Sequence, residues 1–249
     1  MNFSASVQTA LGYPDRACRL VADGFALARR LQHAPSLGNT LWRACEVFVK
    51  CGAVVPVSEC AAELLNLADS HGIPVQRAHG LAYSGWALVR SGDTAAGLAR
   101  MEEGLGMLVA MGTRVHITFV GGMTADALAT AGRYAEGLEQ LRRTSEIVSE
   151  TGEVSYASWL HRIRAKLLRH DGAAGAEVEA SLREAIAIAR QRGAKGWEIG
   201  AATDLARLWA EGGRRAEAQE LLAPVYGWFT EGFGTLDLKD AKALLDELA

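Results

Sequence analysis

Gly132-Arg133-Tyr134-Ala135-Glu136-Gly137-Leu138 is a glycine turn opening onto an amphipathic helix, and related turns recur along almost the whole chain. They begin at Gly12, Gly52, Gly92, Gly132, Gly172 and Gly213, spaced by 40 residues and, at the last step, by 41. A second series, Gly72, Gly112, Gly152 and Gly193, falls between the members of the first with the same spacings. Each unit therefore contains two turns and two helices. A fixed period of this length marks an array of stacked units, each burying its apolar face against its neighbours. The expected fold class is all-α, a solenoid of antiparallel helix pairs.

The helix register follows from these turns. The pattern predicts helices over 2–11, 14–32, 35–52, 56–72, 74–92, 93–111, 114–131, 133–151, 153–170, 174–192, 194–211 and 214–230, with a short closing helix over about 235–248. Pro14, Pro35, Pro56 and Pro74 stand at helix starts, where a missing N–H is tolerated, and no proline is expected inside a helix. The chain reads as one domain, 1–249. It divides into a partial first repeat (1–33), helix pairs at 34–73, 74–113, 114–152, 153–193 and 194–233, and a C-terminal cap (234–249) whose first amides Thr235 or Asp237 can satisfy.

Alignment on the glycines shows how the pairs hold together. Seven residues before each stand Cys45, Gly85, Ala125, Ala165 and Ala206, all small; four before stand Phe48, Leu88, Leu128, Leu168 and Trp209, all large and apolar. The small position lets helices approach, and the large one fills the space a turn later.

Composition narrows the function. Hydrophobic residues make up 49% and charged residues 22%, which suits a folded soluble chain. No apolar run reaches the roughly 18 residues of a spanning helix, and residues 1–6 lack a secretory pattern, so no membrane association and a cytoplasmic location are expected. A net charge of −3 argues against nucleic acid as partner. Cys18, Cys45, Cys51 and Cys60 sit in helical patterns, and the six histidines show no ligand spacing, so no metal and no cofactor are expected. Gly121-Gly122 inside a helix reads as close packing against a neighbour.

Gly-Arg-Tyr-Ala-Glu-Gly-Leu resembles the inter-helix signature of tetratricopeptide (TPR) repeats, with a small residue such as Gly137, Gly97, Ala17 or Ala218 at the helix crossing five positions after the glycine. The period of 40 departs from the roughly 34 usual for that family. The resemblance implies a right-handed superhelix. The ending, Ala206-Arg207-Leu208-Trp209 with Gly213-Arg214-Arg215-Ala216-Glu217-Ala218 and Leu222-Ala223-Pro224-Val225-Tyr226-Gly227-Trp228-Phe229, is similar to the C-terminal arrays of bacterial multidomain proteins. Those proteins join an adenylate cyclase-like domain, a predicted NTPase module and a helical array. The likeness implies an interaction array of a signalling or regulatory protein; no phosphate loop or cyclase metal site is recognisable in this chain.

In such an array the first helices line the concave face. Positions thirteen, ten, six and two before each glycine read Asn39, His79, Phe119 and Trp159; Trp42 and Arg162; Glu46, Trp86, Asp126, Lys166 and Arg207; and Lys50, Arg90, His170 and Glu211. Aromatics interleaved with both charges suit a partner segment lying in a groove, or else Trp42, Trp86 and Trp159 widen the core. The leading expectation is a non-catalytic protein-interaction module binding a partner segment, or another domain of a parent protein, in that groove. The alternative is a small-molecule or peptide sensor using the same groove. An enzyme employing His79, Asp126 or His161 is disfavoured, since spacing forces no titratable pair together. A chain starting inside a repeat would also expose Phe25, Leu27 and Leu31, predicting weak homodimerisation through the N-terminal end.

Overall fold

A computed structural model describes residues 2–113 and 116–249, which form thirteen α-helices and no strand. They are α1 (Asn2–Leu11), α2 (Pro14–Leu31), α3 (Ala34–Lys50), α4 (Val54–His71), α5 (Pro74–Arg90), α6 (Thr94–Ala110), α7 (Ile117–Thr130), α8 (Tyr134–Thr151), α9 (Ala157–His170), α10 (Gly175–Gln191), α11 (Lys195–Glu211), α12 (Arg215–Gly227) and α13 (Leu236–Leu248). No helix among the described residues is long and apolar enough to cross a membrane. Every helix packs on the next.

The recurring glycine is a helix stop. At the end of α7, Gly132 takes φ 74°, its N–H donates to Ala129 O at 3.1 Å, and the Arg133 N–H donates to Leu128 O at 2.9 Å. These two bonds form a Schellman cap, which needs a left-handed residue that glycine supplies without strain. The large residue four before the glycine is thus the one whose carbonyl is capped. The small column sits where helices cross: a Cβ on Gly85 would lie 2.5 Å from the Gly97 carbonyl oxygen, and α5 and α6 pack backbone against backbone there.

The inner layer consists of α1, α3, α5, α7, α9 and α11, each in contact with the inner helix before and after it, while the even-numbered helices through α12 form the outer layer. The expected open concave face is not what forms, because α1 also packs on α11 and the inner layer closes on itself. At this seam a Cβ on Gly196 would stand 2.0 Å from the Thr9 carbonyl oxygen, and one on Gly12 would meet Trp228 at 2.8 Å. Glu231 accepts the Arg16 N–H at 2.9 Å, so the N-terminus of α2, whose own Tyr13 gives no side-chain cap, is capped from the far end of the chain. Asp15 returns the contact by accepting the Gly232 N–H at 3.2 Å. Closure shows in the surface: 11083 Å² is exposed, against about 10,700 Å² expected for a compact monomer of this mass.

Several expectations shift. The start of the chain is covered by its own C-terminal part, and Phe25 packs partly on the core, although Leu27 and Leu31 stay 40% and 58% exposed. Pro224 lies inside α12, where it can give no N–H to the Glu220 carbonyl, and the helix ends at Gly227 rather than 230. Neither Thr235 nor Asp237 caps α13: Thr235 Oγ1 donates to Gly232 O at 2.8 Å, and Asp237 accepts from Arg162. The helix expected from 114 begins at Ile117, residues 114 and 115 lying outside those described, and the one expected from 153 begins at Ala157. Gly121 and Gly122 are close-packed, a Cβ there meeting Thr144 Oγ1 at 2.4 Å and the Trp159 ring at 2.5 Å.

The seam can be tested with two glycines. Gly196→Ala should destabilise the protein by about 1–3 kcal/mol, because the new methyl must push α11 off α1, whereas Gly106→Ala, in an exposed stretch of α6 with open space around it, should stabilise by up to about 1 kcal/mol. Urea unfolding of both variants is the check.

Candidate functional site

Residues from both halves of the chain meet around one partly open cavity of ≈ 470 Å³, lined by the inner helices α3, α5, α7, α9 and α11 together with residues of α10 and α13. Ten of the expected groove residues line it: Lys50, Trp86, Arg90, Phe119, Asp126, Trp159, Arg162, Lys166, His170 and Arg207. The inner helices run the same way, since each is separated from the next by an antiparallel outer helix. Phe119, Trp159 and Trp197 come from the first turns of α7, α9 and α11; Arg90 and His170 come from the closing turns of α5 and α9, and Arg207 from just before the closing turn of α11. The cavity consequently has an aromatic part and a cationic part.

The aromatic part is a row of near-parallel rings. Trp159 stacks on Phe119 (centroids 5.0 Å apart, 28°) and on Trp197 (5.9 Å, 25°). The Lys50 ammonium lies 5.5 Å from the Phe119 centroid and 5.2 Å from that of Trp197, so cation–π attraction adds to the ring packing. In the cationic part, Arg162 Nε donates to Asp204 Oδ2 at 2.6 Å and its Nη1 to Asp237 Oδ1 at 2.8 Å. Burial works against that guanidinium's charge, and the two carboxylates outweigh it and hold its pKa above the ordinary arginine value. Gly200 makes the room: a Cβ there would collide with Arg162 Nη1. Lys166 Nζ donates to Asp126 Oδ1 at 2.7 Å, Arg207 lies 3.7 Å from Asp204, and His170 stacks on Tyr134 with centroids 5.4 Å apart. Arg90 is exposed and makes no ion pair with any described residue.

The other five expected groove residues are elsewhere, the exposed Glu211 pairing with Arg169 at 2.8 Å. Asn39 is exposed away from the cavity and accepts the Trp42 Nε1–H at 3.1 Å. Trp42, Glu46 and His79 are buried, with Trp42 stacked on His79 (4.7 Å, 12°) and the Arg43 guanidinium 4.0 Å above the Trp42 ring. The groove is filled here by His116 and Tyr156, which stand immediately before α7 and α9 and are buried. Glu46, wholly buried, accepts Lys50 Nζ at 2.6 Å, Tyr156 Oη at 2.9 Å and Arg43 Nη1 at 3.3 Å, and His116 Nε2 lies 3.1 Å from its Oε2. Burial would raise the Glu46 pKa; Lys50, and next His116, outweigh it and keep the carboxyl well below its usual range. His116 is held at φ 70°, a left-handed conformation that costs a non-glycine residue energy. Burial lowers the pKa of both histidines, that of His79 to about 3.

Trp197, Asp204 and Asp237 were not among the expected groove residues. Gly200 was the available signal, since it occupies the column of Asn39, His79, Phe119 and Trp159 and leaves a vacancy opposite Arg162. Among the described residues no group of three His, Cys, Asp or Glu side chains is placed to hold a metal.

No protein-family model matches the chain. Over 170 residues, 68% of its length, the chain is 29% identical to an uncharacterized protein of Rhizobium meliloti (strain 1021). That stretch makes up 16% of the relative, so the chain corresponds to a small part of a much longer protein.

The buried cluster sets a pH dependence. The folded His79 ring takes a proton only near pH 3 and the unfolded ring near pH 6.5, so unfolding takes up a proton throughout that window. Stability is then full above about pH 6.5 and falls as pH drops, by about 1.4 kcal/mol per pH unit for each such histidine. Glu46 acts with the same sign at lower pH: its contribution is present above about pH 4.3 and is lost as pH falls through its depressed folded pKa. Urea unfolding at pH 7.5, 6 and 5 should show this slope, flattened in His79→Gln. Glu46→Gln should cost about 3–5 kcal/mol at pH 7.5, because Lys50 and Arg43 keep buried charge without its counter-charge.

Proposed function

We propose that the chain is a right-handed, TPR-like array of roughly 40-residue helix pairs that serves as a non-catalytic recognition module of a larger regulatory protein, binding its ligand in the central cavity. The observation that carries this reading is the cavity itself, ≈ 470 Å³ lined by side chains from five inner helices. That is a typical size for a small-molecule site, concave and lined by aromatic and aliphatic side chains together with charged groups, several of them fixed in ion pairs. The long relative supports the larger context, since the matched stretch fills only 16% of it.

The closed inner layer favours a small molecule or the end of a peptide over the extended segment first expected. An extended chain would need the trough to continue past Trp42, Glu46 and His79, and that stretch is filled. The charges also favour binding over acid–base chemistry: the cavity's Asp126, Asp204 and Asp237 are engaged by Lys166 and Arg162. General acid–base work needs a group whose proton is available near the working pH.

Native mass spectrometry after incubation with a low-molecular-weight extract of bacterial cells tests the proposal. The protein should retain a small molecule at one per chain, and the charge-reversed pair Lys166→Glu with Arg207→Glu should lose it while remaining helical. Retention of nothing, with no change in melting temperature on adding the extract, would refute the cavity as a ligand site.

A further inference from the structure

The two parts of the cavity differ enough to select a ligand. Six cationic side chains face it against three carboxylates, in a chain whose net charge is −3. Cations in the last turn of a helix also complement the helix dipole, so their position alone marks nothing. What distinguishes this set is how poorly two of its members are neutralised. Arg162 takes both Asp204 and Asp237 at hydrogen-bonding distance. Arg207 is left with a share of Asp204 at 3.7 Å, and Arg90 has no carboxylate among the described residues. A guanidinium presents a planar fork of donors that matches a carboxylate or phosphate, and beside a low-dielectric wall its attraction for an anion is strengthened. The opposite part offers the half-buried Trp159 and Trp197, ordered by stacking on each other and on the wholly buried Phe119 behind Trp159, so an apolar group meets ring edges that need no rearrangement.

We propose that the cavity binds a small organic anion with a flat, apolar body, its carboxylate or phosphate held by Arg90 and Arg207 and its body against Trp159 and Trp197. This rests on the reading of the cavity as a ligand site and adds the chemical class. Asp126 does not oppose the anion, because Lys166 at 2.7 Å neutralises it. A cationic ligand would have to displace Lys166 or Arg162 from short ion pairs, and a neutral one would leave the two arginines unanswered.

Isothermal titration of the full chain with four naphthalenes of one body and different charge tests the inference: 1-naphthoate, 1-naphthyl phosphate, 1-naphthylmethanol and 1-naphthylmethylamine. One or both anions should bind at one site, at least about tenfold more tightly than the alcohol and the amine, a ratio set by charge-assisted hydrogen bonds. The two anion arms decide between carboxylate and phosphate. Arg90→Ala and Arg207→Ala should each abolish most of that preference and leave the alcohol unchanged, and Arg90→Lys should keep part of it. Arg90 is exposed and unpaired, so its replacement leaves the fold intact, and the four-ligand comparison on the unaltered protein needs no variant at all. Equal binding of alcohol or amine overturns the anion and leaves the cavity as a site. Binding of none of the four also overturns it; if the extract ligand is still retained the inference falls alone, and if that fails too the reading of the cavity falls with it.

Discussion

Contact between α1 and α11 is the constraint on which the rest of the structure depends. Stacked helix pairs of constant geometry would continue as an open superhelix, and here six inner helices are enough to bring the start of the chain onto its end. The contact is backbone to backbone, with Gly196 against the Thr9 carbonyl, and is flanked by polar exchanges in which Glu231 caps α2 and Asp15 holds Gly232. Such an approach tolerates no side chain at Gly196, so curvature and sequence are coupled there. Because the layer closes, what would have been a surface becomes a cavity, and side chains that would have met solvent meet one another.

That change of surroundings explains the cluster around Glu46. A carboxylate with no exposure is costly to bury and persists only when its oxygens are satisfied and its charge balanced. Lys50, Arg43, Tyr156 and His116 supply both. Two of these partners, His116 and Tyr156, stand immediately before α7 and α9, and Thr118 in the first turn of α7 donates to Glu153, ahead of α9, at 2.7 Å. The tertiary contacts therefore hold His116 and Tyr156 outside the helices that periodicity would give them, at the cost of a left-handed His116. The same cluster backs the aromatic row, since Lys50 lies against Phe119, Tyr156 and Trp197 at once.

The local structure was legible in the sequence because it is governed by local chemistry. A left-handed residue every twenty positions favours glycine, with Gln32 the one exception in the series, and the small and large columns around Leu128 and Ala125 follow from the cap and the helix crossing. The inward-facing columns were legible for the same reason, and ten of their residues share the cavity. Curvature was not legible: it is the sum of small rotations at every helix pair, and no single residue announces that α11 will reach α1. Trp42, Glu46 and His79 accordingly read as groove residues, since they hold the same helical positions as Arg162, Trp86 and Phe119, and only the partners arriving from distant connections bury them. Pro224 shows the opposite case, where helix packing overrides a local breaker.

A central cavity with aromatic and cationic parts gives this array one place where a ligand can touch five inner helices at once, so that occupancy can be felt by the whole closed layer. Small-angle X-ray scattering of the chain in dilute solution tests the closure most directly. The account predicts a radius of gyration of about 18 Å, that of a compact body of this length, with a single-peaked distance distribution. A radius well above that value with a long tail of distances, as an open superhelix would give, would contradict it.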